Sequence, residues 1–258
     1  MGSYVQGHDP CEPPFPDFRD HRSFVGPAKN YDILGALQFN LLVNLGLRER
    51  NSMLDIGCGS LRGGRLFIIY LLNGRYFGIE PESWLIQEGI EKEIGSDAIR
   101  IKQPVFSSTS DFDLSTFGKT FDFLLAQAVF THASQGQIRK CLSEARRVMN
   151  PDAIFAATIM EGKDIYEGSE WTYPSMATYP LNYFLKLVDT SGLVGRRLNW
   201  YHPTGHTWVA IMRPDSKIAQ SVVSRTNKYI CGAVRPLPKA GPLRILSSKL
   251  KHALRLDS

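Results

Sequence analysis

Apolar residues along the chain recur in two rhythms. Between Ile33 and Leu47, residues Leu34, Leu37, Leu41 and Leu45 fall three and four apart, which predicts one face of a helix ending before the polar turn Arg48 to Ser52. Short apolar runs then alternate with helical stretches. Ser52 to Ile56, Tyr76 to Glu80, Phe121 to Gln127 and Ala153 to Met160 read as strands, with Ala98 to Val105 as a further one. Gly64 to Leu72, Glu82 to Glu93, Gln135 to Val148 and Leu181 to Asp189 read as helices. A hairpin of Arg196 to Trp200 with Thr207 to Met212 closes the pattern, its turn being Tyr201 to His206. Short strands alternating with helices over brief connections predict an α/β fold with a doubly wound, mostly parallel sheet.

Three stretches leave this rhythm. Five of the 15 prolines fall in the first 30 residues, so residues 1–30 read as an irregular leader. Glu161 to Pro180 interrupts the alternation and carries Tyr166, Trp171, Tyr173 and Tyr179. A loop of that length leaving the end of a sheet strand reads as a lid over a ligand, or as a surface loop pinned by its aromatics. Beyond the hairpin, residues 214–258 form a basic tail. From Lys217 to Ser258 nine Lys/Arg face one acid, so that the net +5 of the chain divides into +8 here and −3 elsewhere. Within it, Leu243, Leu246, Leu250 and Leu254 share one helical stripe, which suits either peripheral contact with an anionic membrane or packing on the domain. The slightly acidic body speaks against nucleic acid as a partner of the 31–213 domain. The longest apolar run, Leu66 to Leu72, is too short to span a bilayer, which takes about 20 residues. The polar start of the chain shows no secretory pattern, so a cytoplasmic location is expected. Cys11, Cys58, Cys141 and Cys231 are widely spaced with no C-x-x-C pair, which disfavours a zinc site or a disulfide framework.

The stretch with most chemical content is Met53-Leu-Asp-Ile-Gly-Cys-Gly-Ser-Leu-Arg-Gly-Gly64. Glycines at 57 and 59, between a strand and a helix, allow a tight turn and close approach of a ligand. Arg62 stands where the third glycine of a dinucleotide fingerprint would be, and Asp55 at the mouth would repel a pyrophosphate. A ligand carrying an ammonium group suits Asp55 instead, and Glu80, 23 residues after Gly57, stands where such folds hold ribose hydroxyls. Leu54-Asp-Ile-Gly-Cys-Gly59, Gly78-Ile-Glu80 and Phe121-Asp-Phe-Leu-Leu-Ala-Gln127 resemble the successive motifs of the class I S-adenosylmethionine (SAM)-dependent methyltransferases. Gln127-Ala-Val-Phe-Thr-His132, the Val148-Met-Asn-Pro-Asp152 turn and the terminal hairpin are similar to that family in order and spacing, over about residues 30 to 213.

The resemblance implies a Rossmann-like, seven-stranded sheet with an antiparallel last strand, a domain at 31–213, and SAM as cofactor. It implies that Asp55, Gly57 and Gly59 line the methionine end, Glu80 the ribose, Gln127 the sulfonium, and Asp111 and Phe112 the adenine. Cys58 belongs to the loop as a small packing residue. Arg62 reaches the methionine carboxylate or forms an ion pair at the sheet edge. Three histidines stand where a base would act: His132 after the fourth strand, and His202 and His206 in the hairpin turn. Each has a plainer reading, a helix-start hydrogen bond for His132 and pinning of the turn for the other two. Trp171, Tyr173, Trp200 and Tyr201 are pocket-wall or core residues. The segment after the fourth strand lacks the Asn/Asp-Pro-Pro-aromatic and Pro-Cys patterns of DNA methylation, and Glu161 has no acidic partner at Gln127 for a metal. A small-molecule or glycan hydroxyl is the expected methyl acceptor, with an amine as the alternative. A non-catalytic SAM or S-adenosylhomocysteine (SAH) binder and a nicotinamide-dependent oxidoreductase are the rivals, and Asp55 and Arg62 count against the latter.

Overall fold

The computed structural model describes residues 20–233. The chain opens with α1 (His21–Phe24), capped by the Asp20 side chain on the Ser23 amide, and a 3₁₀ turn (Ala28–Asn30) leads into α2 (Tyr31–Asn44). There follow β1 (Met53–Ile56), α3 (Gly64–Tyr70), β2 (Tyr76–Ile79) and α4 (Ser83–Gly89), which continues as a π turn (Ile90–Ile94). Then come α5 (Ser96–Lys102), β3 (Val105–Ser107), β4 (Phe121–Ala126), α6 (Gln135–Val148) and β5 (Met149–Glu161). The last elements are β6 (Thr178–Tyr179), α7 (Leu181–Thr190), β7 (Val194–Leu198), β8 (Thr207–Met212) and α8 (Lys217–Ala233).

The sheet runs β3-β2-β1-β4-β5-β8-β7, with β6 beside β5. All pairs are parallel except those of β8, which is antiparallel to both β5 and β7. This is the expected Rossmann-like architecture with one strand more than the seven expected, because two residues of the aromatic insert pair with the end of β5 as β6. Alternation along the central strands buries both faces. Leu54, Ile56, Phe77, Ile79, Leu124 and Ala126 pack with Ile138, Leu142, Phe184 and Leu187 of α6 and α7. Met53, Tyr76, Phe123 and Leu125 pack with Leu41 and Leu42 of α2, Phe67 of α3 and Val223 of α8. Each large side chain buried this way contributes roughly 1.5–3 kcal/mol. Helix α6 starts where its sequence says it should: Ser134 caps the Gln137 amide, and the Gln137 side chain returns to the Ser134 amide.

Two expectations change. Ala98 to Val105 is not a strand: α5 takes Ser96–Lys102, and β3 begins only at Val105. The β-branched Ile99 and Ile101 suggested a strand, yet Gly95 (φ 85°) opens a helix there and Gln103 (φ 49°) ends it through its amide on the Ile99 carbonyl at 2.8 Å. Ile99 faces the core while Ile101 is exposed, as a helix requires. The segment counted with the basic tail also begins inside the fold. In α8, Ala219 and Val223 are buried against the sheet, and the Thr226 hydroxyl donates to the Asn44 carbonyl at 3.2 Å. The leucine stripe at 243–256 and the leader at 1–19 lie outside the described residues.

Candidate active site

The carboxyl ends of β1, β2 and β4 converge, and the parallel register places Asp55 between Gly78 and Leu125. Past β1 the chain turns through Gly57 (φ 69°) and Gly59 (φ 54°), and the amides of Gly57 and Cys58 both donate to the Ile79 carbonyl, at 2.8 and 3.0 Å. The turn is pressed from two sides. A Cβ at Gly57 would stand 2.7 Å from the Val129 side chain, and one at Gly59 2.7 Å from Val25. Leu61 (φ 62°) and Ala128 (φ 58°), which flank the site, adopt a left-handed backbone that costs about 1–3 kcal/mol each. Cys58 is buried in the core, and burial pushes its thiol well above its ordinary value, so it packs there as a protonated thiol.

Around this turn lies a buried polar cluster. Asp55 accepts from the Tyr76 hydroxyl at 2.8 Å, and burial lifts its carboxyl to about 7 despite that bond and the nearby Arg62 charge. Glu80 accepts from the amides of Gly59 (2.9 Å) and Glu82 (3.0 Å), and burial raises it as well. Arg62 is 6% exposed, and desolvation draws its pKa down to about 10. It donates to the Val25 carbonyl at 2.5 Å and to Gln127 Oε1, while its Nε is buried without a partner. The ion pair expected at the sheet edge as one reading does not form: no carboxylate among the described residues lies within ion-pair distance of Arg62. Gln127 Oε1 also accepts from Gln38 at 3.1 Å, so its amide nitrogen is left to meet His202 Nε2 at 3.1 Å.

The three histidines gather at this edge and differ in what their nitrogens do. His202 Nε2 accepts from Gln127, and its Nδ1 is engaged by Thr204 at 3.1 Å. Both nitrogens are occupied, and burial and the neighbouring His206 hold its pKa at about 3, so the ring is neutral and holds the Gln127 amide. His206 stacks on it, ring centroids 4.3 Å apart, with a buried, unpartnered Nδ1 and a pKa drawn to about 4 by burial. His132 is set differently. Its Nδ1 lies 2.8 Å from the Ser175 carbonyl, which can only accept, so Nδ1 carries the proton and Nε2 presents a lone pair. Burial lowers its pKa below the ordinary histidine value.

Asp111 is not brought to this cluster by its hydrogen bonds. It is exposed, with Thr109 at 2.7 Å and Lys140 at 3.0 Å, and these bonds hold its carboxyl near 2. Phe112 (φ 59°) packs against the core formed with α6. Other residues join the site without having been singled out from the sequence. Gln38 was legible as a polar residue on the buried stripe of α2. The segment 20–26 was not. It crosses the glycine turn as a strap: Ser60 Oγ donates to the His21 carbonyl at 2.9 Å, and Tyr173 donates to that of Phe24 at 2.8 Å. Glu93, on the π turn, anchors it by accepting from Arg22 Nε (2.7 Å), Arg65 Nη1 (2.8 Å) and His21 Nε2 (2.8 Å). Burial raises that carboxyl, but the bonds from Arg22 and His21 outweigh it and leave it below its ordinary value. A surface depression of about 550 Å³ lined by Ser52, Arg75, Phe77, Lys119 and Thr120 lies at the opposite, amino edge of the sheet, away from these groups.

A mostly parallel sheet with a glycine turn at β1, an acid ending β2 and buried charge between them is the arrangement in which α/β folds bind ligands at the carboxyl ends of their strands. The family described as "Methyltransferase domain" matches residues 54–157. These residues are a methyltransferase domain, the fold around it is that of SAM-dependent methyltransferases, and SAM is the matching cofactor. Among solved structures, magnesium protoporphyrin IX methyltransferase from Synechocystis PCC 6803 with bound SAH is similar, with TM-score 0.53 at 13% identity, over 72% of this chain and 86% of that one. A SAM-dependent methyltransferase from Clostridium acetobutylicum ATCC 824 gives 0.54 at 10% identity, over 71% and 92%. The mitomycin 7-O-methyltransferase MmcR gives 0.55 at 17%, over 74% and 56%. At these identities the likeness is one of fold. No curated protein sequence matches the chain.

Proposed function

We propose that the protein methylates a hydroxyl group of a small-molecule or glycan acceptor, with His132 as general base. The observation that carries this reading is the fixed tautomer of His132: Nδ1 is committed to the Ser175 carbonyl, and Nε2 is a free acceptor on a ring kept neutral by burial. A hydroxyl must lose a proton as its oxygen is alkylated, and a neutral imidazole is the side chain suited to take it near pH 7.

The cofactor assignment within the site is part of the same proposal. Gly57 and Gly59 turn the backbone where Val129 and Val25 leave no space for a Cβ, and Asp55 offers a buried carboxylate to the ammonium group. Arg62 offers the methionine carboxylate a buried guanidinium whose Nε has no partner. Glu80 keeps lone pairs beyond its two backbone amides for the ribose hydroxyls. Gln127 is held by Arg62, Gln38 and His202 beside this carboxylate site. When bound, SAM supplies a methyl carbon activated by positive sulfur, so the chain's task is to align the acceptor and exclude water.

The test is methyl transfer from labelled SAM to paired acceptors bearing either a hydroxyl or an amine, by the native protein and by His132→Ala. Hydroxyl methylation that collapses in the variant while SAH affinity stays within about twofold supports the reading. Transfer to amines alone, or a variant with the native rate, overturns it.

A further inference from the structure

We infer that the acceptor is a planar aromatic molecule carrying the hydroxyl on its ring, and that Trp171 and Tyr173 are the residues that select it. The inference rests on the hydroxyl reading above and narrows it. Five rings form a continuous line across the carboxyl edge of the sheet. Trp84, at the start of α4 beyond Glu80, meets Phe24 of the strap at 5.2 Å edge to face. Phe24 meets Tyr173 at 5.2 Å, Tyr173 meets His132 at 5.2 Å edge to face, and His132 meets Trp171 at 5.6 Å. The line therefore starts four residues past the acid proposed to hold the ribose and passes through the candidate base to a ring open to solvent, Trp171 being 44% exposed.

None of the five rings is buried in the core. Each keeps part of its surface accessible. They are supplied by the strap, α4, the segment after β4 and the insert after β5, four segments that converge only in the fold. Thr172 Oγ1 donates to the carbonyls of His132 (3.2 Å) and Ser175 (3.0 Å), and the Thr172 amide donates to the His132 carbonyl at 2.8 Å. These bonds fix Trp171 and Tyr173 against the base, so this part of the insert is a wall of the site. An acceptor whose oxygen reaches His132 Nε2 lies against those two rings. Flat aromatic molecules gain most from such a wall, through ring–ring contact beyond the area buried.

The chemistry agrees. A ring hydroxyl has a pKa of about 10, whereas an aliphatic hydroxyl lies near water at about 15.7. A histidine held below its ordinary value is a weak base, fitted to the first and poorly matched to the second. In the step, the ring oxygen forms a bond to the methyl carbon as the carbon–sulfur bond breaks with its electron pair going to sulfur. The hydroxyl proton passes to His132 Nε2, and the positive charge moves from sulfur to the imidazole.

The experiment is calorimetric titration of the full chain saturated with SAH, using a naphthol, the decahydronaphthol of the same carbon skeleton and a methyl glucoside, alongside labelled-methyl transfer to each. The naphthol should bind at least tenfold more tightly than the saturated alcohol and be the acceptor that is methylated. Trp171→Ala should remove that preference and Trp171→Phe should restore most of it, with SAH affinity unchanged in both. Equal binding of naphthol and decahydronaphthol, or methylation of the saturated alcohol or the glucoside in preference to the naphthol, overturns the aromatic inference and leaves the hydroxyl reading standing. Transfer only to an added aromatic amine overturns both.

Discussion

The two halves of the sheet edge are built from different materials. Around β1, β2 and the first residue past β4 the site is made of backbone turns and buried ionisable groups, with Asp55, Glu80 and Arg62 almost fully enclosed. Around the segment after β4, the insert and the β7–β8 turn it is made of half-exposed rings, with one histidine whose accepting nitrogen is free. The contrast teaches where each kind of recognition is stored. On the proposed reading, a small charged ligand is held by desolvated charges and amides, whose geometry tolerates little change. The reacting partner would then meet a wall that discriminates by shape and polarisability.

If that division is right, damage to one half should leave the other working. The largest effect is expected from His132→Ala, which should lower turnover about 10²–10⁴-fold with SAH affinity nearly native, as read by single-turnover kinetics and calorimetry. The reverse pattern is expected of Glu80→Ala: SAH affinity weaker by at least about 100-fold, since two charge-assisted bonds at roughly 1.5–3 kcal/mol each are lost, and turnover at saturating SAM much closer to native. A loss of both quantities in both variants would erase the division.

The buried carboxyl of Asp55 sharpens it further. Its pKa stands near 7 in the folded protein, above the ordinary value of 3.8, so the unliganded fold is favoured while Asp55 is protonated and loses that stability as pH rises through about 7. An ammonium group beside it lowers the pKa again. Cofactor affinity should therefore rise by about tenfold from pH 6 to pH 8, with up to one proton released. Titrations in buffers of different ionisation enthalpy count that proton. Asp55→Asn should abolish both the release and the pH dependence, and should raise the melting temperature of the unliganded protein at pH 8. Smaller still, Tyr173→Phe removes one hydrogen bond to the strap and should cost about 0.5–1.5 kcal/mol in denaturant unfolding. Asp111→Asn should change SAH affinity less than twofold, because its partners are Thr109 and Lys140 on the surface.

The same division governs what could be read from the chain. The glycine turn, Asp55 and Glu80 were legible because strand, turn and helix follow one another within thirty residues, and left-handed backbone at 57 and 59 asks for glycine. The mostly parallel sheet followed from the alternation of strands and helices, and α6 from its helical stretch at Gln135 to Val148. Legibility failed where tertiary contact overrides local pattern. Ile99 and Ile101 suggested a strand that a glycine and a left-handed glutamine turned into a helix. The histidines were visible, but not what their nitrogens meet, since His202 Nε2 faces an amide 75 residues away whose oxygen is already taken. Phe24 and Val25 belonged to a stretch read as an irregular leader, and the Tyr173 hydroxyl that holds the Phe24 carbonyl lies 149 residues further on.

The strap has a temporal meaning. Val25 rests on Gly59, its carbonyl is clasped by Arg62, and the segment is moored to Glu93. If cofactor and spent product pass under this segment, those contacts must part, and residence time would be set by groups that need not touch the cofactor. Glu93→Gln should shorten the dwell of SAH in stopped-flow displacement by more than it weakens equilibrium binding. A clock for each catalytic cycle would then be located in an ion-pair cluster behind the site, not in the chemistry itself.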